Sequence, residues 1–183
     1  SVVLLCSGDP GVYAMGAPLF ELMDRWAETK PEWGQVDVEV LPGITAMMAA
    51  SAKLGAPLGH DFCAISLSDL LTPREAILQR LKAAAEGDFV VSFYNPVSKR
   101  RRELLDVARE TLLKHRPAET PVVICRQVGR AEESFHHVTL ETLKTDDVDM
   151  WCMVLVGSSN SRYTPADANG KRWLFTPRGY AKK

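Results

Sequence analysis

The sequence predicts an α/β fold, and three observations carry that prediction. Short, uniformly apolar runs such as "VVLLC" alternate with longer segments whose apolar residues recur at helical spacing. The order strand, loop, helix repeats, which is the grammar of a parallel sheet. The first apolar runs also end in loops rich in glycine and proline, where α/β proteins hold ligands.

Val2–Cys6 is the first expected strand, a continuous apolar run suited to burial on both faces. After "SGDPGVYAMG", the residues Leu19, Phe20, Leu22, Met23, Trp26 and Ala27 define a helix from about Ala17 to Thr29, stopped by Pro31. Val36, Val38 and Val40 lead a second strand into "LPGITA", which breaks at Pro42-Gly43. Thr45 is placed to cap the small-residue helix "AMMAASAKL", which Gly55 ends. "GAPLGHD", Gly55 to Asp61, reads as a linker. Phe62–Leu67 is a strand, and "TPRE" opens a helix with a capping box of Thr72, Pro73 and Glu75 that runs to Gly87. Phe89–Tyr94 is a strand, and "NPVSKRRRELLDVARETLLKH" turns into a long helix. Pro121–Gln127, Ser134–Leu140 and Trp151–Val156 complete the strands, and the tail is rich in turn residues.

A chain of 183 residues with 46% hydrophobic and 25% charged side chains has enough apolar material for one large domain or two small ones. A net charge of −1 gives no overall field for nucleic acid or an anionic membrane, and no apolar run approaches a spanning helix. The opening residues do not read as a secretory signal. Cys6, Cys63, Cys125 and Cys152 are isolated and sit in or beside apolar runs, so the expectation is free thiols in a reducing cytoplasm and no metal site.

The loops carry the chemistry. Glycines in "SGDPGVY" and "PGITA" let backbone groups approach a ligand without a Cβ in the way, and the two loops are expected to share one edge. Neither a phosphate-binding G-x-x-x-x-G-K-[ST] nor a dinucleotide G-x-G-x-x-G is present. Asp9, backbone carbonyls and small residues suit a ligand with amino or hydroxyl donors and a flat ring, a description compatible with a nucleoside. "SKRRRE" places cations at the expected start of a helix, where they oppose the macrodipole. A solvated face, an anchor for a polyanionic ligand and a nucleic-acid contact all remain open there. His136 and His137 are adjacent in a strand pattern and point to opposite faces, a poor arrangement for a shared metal.

"SGDPGVYAMG", "LPGITAMMAASAKLGAPLGHDF", "SLSDLLTP", "SFYNPVSKRRRELL" and the ending "TPRGY" together resemble the tetrapyrrole (corrin/porphyrin) methylases, over essentially the whole chain and in order. "SLSDLLTP" and "YNPVSKRRR" resemble the ring-contracting branch in particular. The resemblance implies a two-domain α/β fold, the first domain (1–58) a parallel sheet with helices and the second (59–183) a mixed sheet with helices. It implies S-adenosylmethionine in the cleft between them, touching Gly8, Asp9, Val12, Thr45, Ala46, Tyr94, Asn95 and Gly129. It further implies a tetrapyrrole substrate, precorrin-3B or cobalt-precorrin-3, methylated at C17 with ring contraction to a precorrin-4-type product, in a homodimer. Tyr13 would border that substrate, and Lys99, Arg100 and Arg101 would meet its carboxylates. Asp9, Arg126, Glu132 and His136 are unranked candidates for an acid or base in the contraction.

Members of that family open with a strand and a G-x-G-P-G loop that this sequence lacks. The expectation is therefore an N-terminally truncated first domain that leans on a partner chain to cover a strand edge. A same-fold methyltransferase of RNA or diphthamide, and a non-catalytic fragment that keeps the fold and dimer interface, are the alternatives.

Overall fold

The computed structural model describes residues 1–179; Tyr180, the last residue of "TPRGY", lies outside the described residues. The chain divides into two units, Ser1–Met48 and Ala49–Lys183. The second contains a five-stranded sheet of order β2-β3-β6-β4-β5, built from β2 (Phe62–Ser66), β3 (Val90–Tyr94), β4 (Pro121–Arg126), β5 (Ser134–Thr139) and β6 (Cys152–Val156). Only β2 and β3 are parallel, with Ala64 opposite Ser92, and α3 (Arg74–Glu86) makes the crossover between them. The remaining pairs are antiparallel, so the sheet is mixed.

Every residue of β6 is buried, so this strand is covered on both faces. One face carries Val91, Phe93, Val122, Ile124, Val154 and Val156. Against it pack Ile77, Leu81 and Ala84 of α3 and Leu104, Leu105, Ala108 and Leu112 of α4 (Glu103–Leu113). Those positions recur every three or four residues, which lines them up on one side of each helix. The opposite face presents Val90, Ser92, Val123, Met153 and Leu155, also buried. A three-stranded sheet of order β1-β8-β7, formed by β1 (Gly55–Ala56), β8 (Leu174–Phe175) and β7 (Arg162–Tyr163), lies on that side. Tyr163 of β7 meets His137, which is registered opposite Val123.

The structure corrects several expectations. Gly55–Ala56 is not a linker but a strand, parallel to Leu174–Phe175. Its partner lies more than a hundred residues away, and no local pattern announces it. The α3 capping box does not form: the helix starts at Arg74, and Pro73, extended at ψ 135°, takes the N-cap position with no side-chain cap bond. The cations "KRRR" do not occupy the first turn of α4. That helix begins at Glu103, and its first turn holds Glu103 and Asp106, the charges the dipole favours.

The first unit holds α1 (Gly16–Arg25), a 3-10 turn over Pro31–Gln35 and the start of α2 (Ala46–Leu54). Helix α1 ends four residues earlier than expected, and Lys30 sits over the rings of both Trp26 and Trp33. Val2–Cys6 and Val36–Leu41 were expected as strands; among the described residues neither pairs with a neighbour. An extended backbone is stabilised as β structure only by a ladder, and here the apolar side chains of Val3, Leu5 and Leu41 stay exposed.

One side chain binds several pieces of the second unit. The buried Arg116 guanidinium donates to the carbonyls of Ala84 at 3.1 Å, Phe89 at 2.6 Å and Gly157 at 2.5 Å, and its Nε lies 3.6 Å from Asp88. It thus joins the end of α3, the start of β3 and the loop after β6. Arg116→Ala removes the guanidinium donor from all three carbonyls, of which Ala84 also accepts the Phe89 N–H at 3.2 Å, and should lower the unfolding free energy by about 3 kcal/mol. Urea denaturation followed by circular dichroism measures that loss.

Candidate functional site

Strand directions fix where loops of the second unit gather. β3 and β4 are each antiparallel to β6, so β2, β3 and β4 run the same way and their carboxyl ends share one edge. Two non-glycine residues with positive φ lie directly after β3 and β4 at that edge: Asn95 at 49° and Gln127 at 48°. Such a backbone is costly for most residues and tolerable for asparagine, and it turns the chain sharply at the strand end. Gly129 follows at φ 80°; its N–H donates to Glu133 at 2.6 Å, and Lys53 binds the other Glu133 oxygen at 2.9 Å. These bonds, the Gly129 N–H first, hold the Glu133 carboxyl below its ordinary range.

Beneath the β2 and β3 ends lies a cavity of about 490 Å³, lined among others by Asp69, Leu70, Asn95, Lys99, Arg100 and Arg101. The amide of Asn95 donates to Ser66 Oγ at 3.0 Å, tying the two parallel strand ends together. Residues Ser98 to Arg101 close a turn, with Ser98 N–H donating to the Arg101 carbonyl at 2.7 Å and Arg101 N–H donating to Ser98 Oγ at 3.1 Å. Lys99 and Arg100 sit at its exposed tip. The cations therefore separate. Arg102 turns away and donates to the Thr145 carbonyl at 2.8 Å, while Arg101 turns inward to Asp69 and the Asn95 carbonyl. Exposed Leu70, Leu71, Met150 and Trp151 border the same edge.

In the first unit the two glycine loops meet, although among the described residues no paired strands carry them to a common sheet edge. Asp9 accepts from the Gly11 N–H at 2.8 Å and from the Gly43 N–H at 3.1 Å, so its carboxylate ties one loop to the other. Gly8 has φ 83°, and a Cβ on Gly43 would collide with the Gly8 carbonyl, so the backbones touch where no side chain fits. Val12 N–H donates to the Asp9 carbonyl at 3.2 Å, Tyr13 is exposed with φ 51°, and Thr45 is buried just before Ala46 opens α2.

Among the acid–base candidates of the second unit, Arg126 and Glu132 come together, and the Arg126 guanidinium is also held by Asp149. Arg126 donates to Asp149 at 2.9 Å and lies 3.7 Å from Glu132. Burial opposes ionisation of Asp149, but hydrogen bonds from Arg126, the Cys152 thiol and the Trp151 N–H outweigh it and hold the carboxyl below its usual range. His136 and His137 are both exposed, and His137 Nδ1 lies 2.7 Å from the Tyr163 hydroxyl beside a cavity of about 330 Å³. Burial, and then His136, push the His137 imidazole below its ordinary range. The sequence reading missed Ser66 and Asp69 as parts of the edge. The signal lay in "SLSDLL", a third polar loop following a strand with the same direction.

The family model described as "Tetrapyrrole (Corrin/Porphyrin) Methylases" matches residues 1–144. The chain belongs to this family. A precorrin-3B C(17)-methyltransferase of a Sinorhizobium species is 43% identical over 180 residues, 98% of this chain and 69% of that protein. A probable cobalt-factor III C(17)-methyltransferase of Salmonella typhimurium is 41% identical over 98% of this chain and 70% of its own length. The crystal structure of the methyltransferase CobJ superposes with a TM-score of 0.82 at 41% identity, covering 94% of this chain and 68% of that one. This member of the family thus spans about two thirds of the length of these relatives.

Asp9→Ala removes the acceptor shared by two N–H groups, each a charge-assisted bond. Amide exchange at Gly11 and Gly43 should quicken by about tenfold or more, while amides of β4 are unchanged; hydrogen-exchange mass spectrometry reads both. His137, depressed in the folded state, is neutral there while the unfolded chain takes up a proton near pH 6.5. Its contribution to stability is therefore full above about pH 6.5 and declines as pH falls through the folded value. His137→Gln should flatten that part of the stability curve between about pH 7 and pH 5, measured by urea midpoints.

Proposed function

We propose that this chain is a methyltransferase of cobalamin biosynthesis that moves the methyl group of S-adenosylmethionine to C17 of precorrin-3B or its cobalt-bearing counterpart, with ring contraction. The observation that carries this reading is the 43% identity, over 98% of the chain, to a protein named precorrin-3B C(17)-methyltransferase. The cavity edge supports it independently. Two exposed cations, Lys99 and Arg100, beside exposed Leu70 and Met150 suit a broad apolar ring that bears carboxylates.

The residues present fit the methyl donor. The Gly8–Gly43 contact sets two residues without side chains against each other, and Thr45 and Ala46 keep the following helix start small. We assign Gly8, Asp9, Val12, Thr45 and Ala46 of the first unit, and Tyr94, Asn95 and Gly129 of the second, to donor binding. Asp9 acts there by shaping the loops, each of its oxygens accepting one backbone N–H, from Gly11 and from Gly43. Tyr13 is assigned to the tetrapyrrole. When bound, S-adenosylmethionine supplies a methyl group already activated by its sulfonium. The protein's part is then to align the acceptor carbon and exclude water, which requires no protein nucleophile. We assign the protein to the cytoplasm as a homodimer; light scattering on the purified protein tests the latter.

Incubation with methyl-labelled S-adenosylmethionine and either precorrin-3B or cobalt-factor III tests the function. Label in the tetrapyrrole supports it, and the acceptor used separates the two substrate forms; label in neither overturns it. Lys99→Ala combined with Arg100→Ala should weaken tetrapyrrole binding about fivefold, each exposed contact being worth roughly 1 kcal/mol or less, with donor affinity unchanged. Isothermal titration calorimetry with each ligand measures the split.

A further inference from the structure

We infer that Arg101 is a positioning residue rather than a substrate contact: it fastens the cation-bearing turn to the left-handed kink at Asn95, so that donor and acceptor binding depend on one rigid piece. The inference rests on the methyltransferase reading for what the two ligands are, and on geometry alone for the fastening.

Arg101 differs from its neighbours in every respect that matters to a ligand. Its side chain is only 11% exposed, whereas Lys99 and Arg100 are exposed and make no ion pair among the described residues. Its guanidinium is already engaged: Nη1 lies 3.3 Å from Asp69 Oδ1 and Nη2 donates to the Asn95 carbonyl at 3.1 Å. Its Nε is buried without a hydrogen-bond partner, so that N–H does not face an open ligand site. A cation neutralised by a carboxylate and turned inward is a poor choice for a substrate carboxylate when two free cations stand next to it.

What the guanidinium holds is more telling. Asn95 has φ 49°, and its peptide carbonyl needs a donor from outside the strand ladder. Arg101 supplies that donor, while Asn95's own amide reaches back to Ser66. The Arg101 backbone meanwhile closes the Ser98–Arg101 turn. One residue therefore connects the end of β2 through Asp69, the end of β3 through Asn95, and the tip that displays Lys99 and Arg100. Fork geometry is essential. A lysine keeps the charge but offers a single ammonium centre in place of a planar pair of donors aimed in two directions.

Three variants decide the matter: Arg101→Lys, Arg101→Ala and Arg100→Ala. Hydrogen-exchange mass spectrometry should show faster exchange over residues 94–98 in both Arg101 variants and not in Arg100→Ala. The thermal midpoint should fall little, because the affected segment is local. By calorimetry, both Arg101 variants should lose about fivefold or more for S-adenosylmethionine as well as for the tetrapyrrole, whereas Arg100→Ala loses tetrapyrrole affinity only. Two results overturn the inference: Arg101→Lys indistinguishable from the parent in exchange and in both affinities, or Arg101→Ala weakened for the tetrapyrrole alone. If the parent protein binds neither ligand, the methyltransferase reading fails, and the exchange pattern over residues 94–98 still decides the fastening.

Discussion

The constraint on which the second unit depends is that its central strands are apolar on both faces. β6 is buried from end to end, and β3 and β4 are buried over all but their last residues. Such strands require a layer on each side, and the chain provides α3 and α4 on one and the small β1-β8-β7 sheet on the other. With both faces committed to packing, polar groups accumulate at the strand ends. There the chain must also reverse direction, which concentrates the unusual backbone conformations. Packing and site geometry are thus two results of one hydrophobic pattern.

That pattern is why so much was legible. β2 to β6 and the helices α3 and α4 follow from runs of buried residues and from helical spacing, and each lies within a few residues of its expected bounds except at the α4 start. The α4 start differs because the Ser98–Arg101 turn, which the sequence signals only through one serine, takes the cations out of the helix. The small sheet was not legible at all. Two-residue strands have no periodicity, and Gly55–Ala56 finds its partner through tertiary packing alone. In the first unit the apolar runs at Val2–Cys6 and Val36–Leu41 have the composition of strands, yet composition cannot supply a ladder.

The candidate site divides along the same line. Glycine loops, the "YNP" corner and the cation cluster are local features, and all were visible. Relationships between loops were not. Asp9 reads as an acid available to a ligand, but the fold turns it on the Gly43 N–H of the next loop. Arg101 reads as one of four equivalent cations until Asp69, thirty-two residues earlier, neutralises it.

Arg101 and Arg116 show one device serving two ends. Each guanidinium links the backbone to an aspartate, Arg101 through one carbonyl and Arg116 through three, and each stands beside a non-glycine residue with positive φ: Asn95 at 49° for Arg101, Asp88 at 51° for Arg116. A planar group with several donors is well suited to this, because a sharply turned backbone leaves carbonyls outside the ladder that need donors from different directions. Burial separates the outcomes. The Arg116 side chain is fully buried, its desolvation pushes its ionisation equilibrium downward, and its carbonyl partners come from three elements, so it serves the fold. Arg101 lies against an open cavity with free cations at its shoulder, so the same bonding holds a surface that remains available for chemistry. Rigidity at the carboxyl edge and cohesion at the opposite one are therefore obtained from the same interaction, and solvent access decides which end stays open to a ligand.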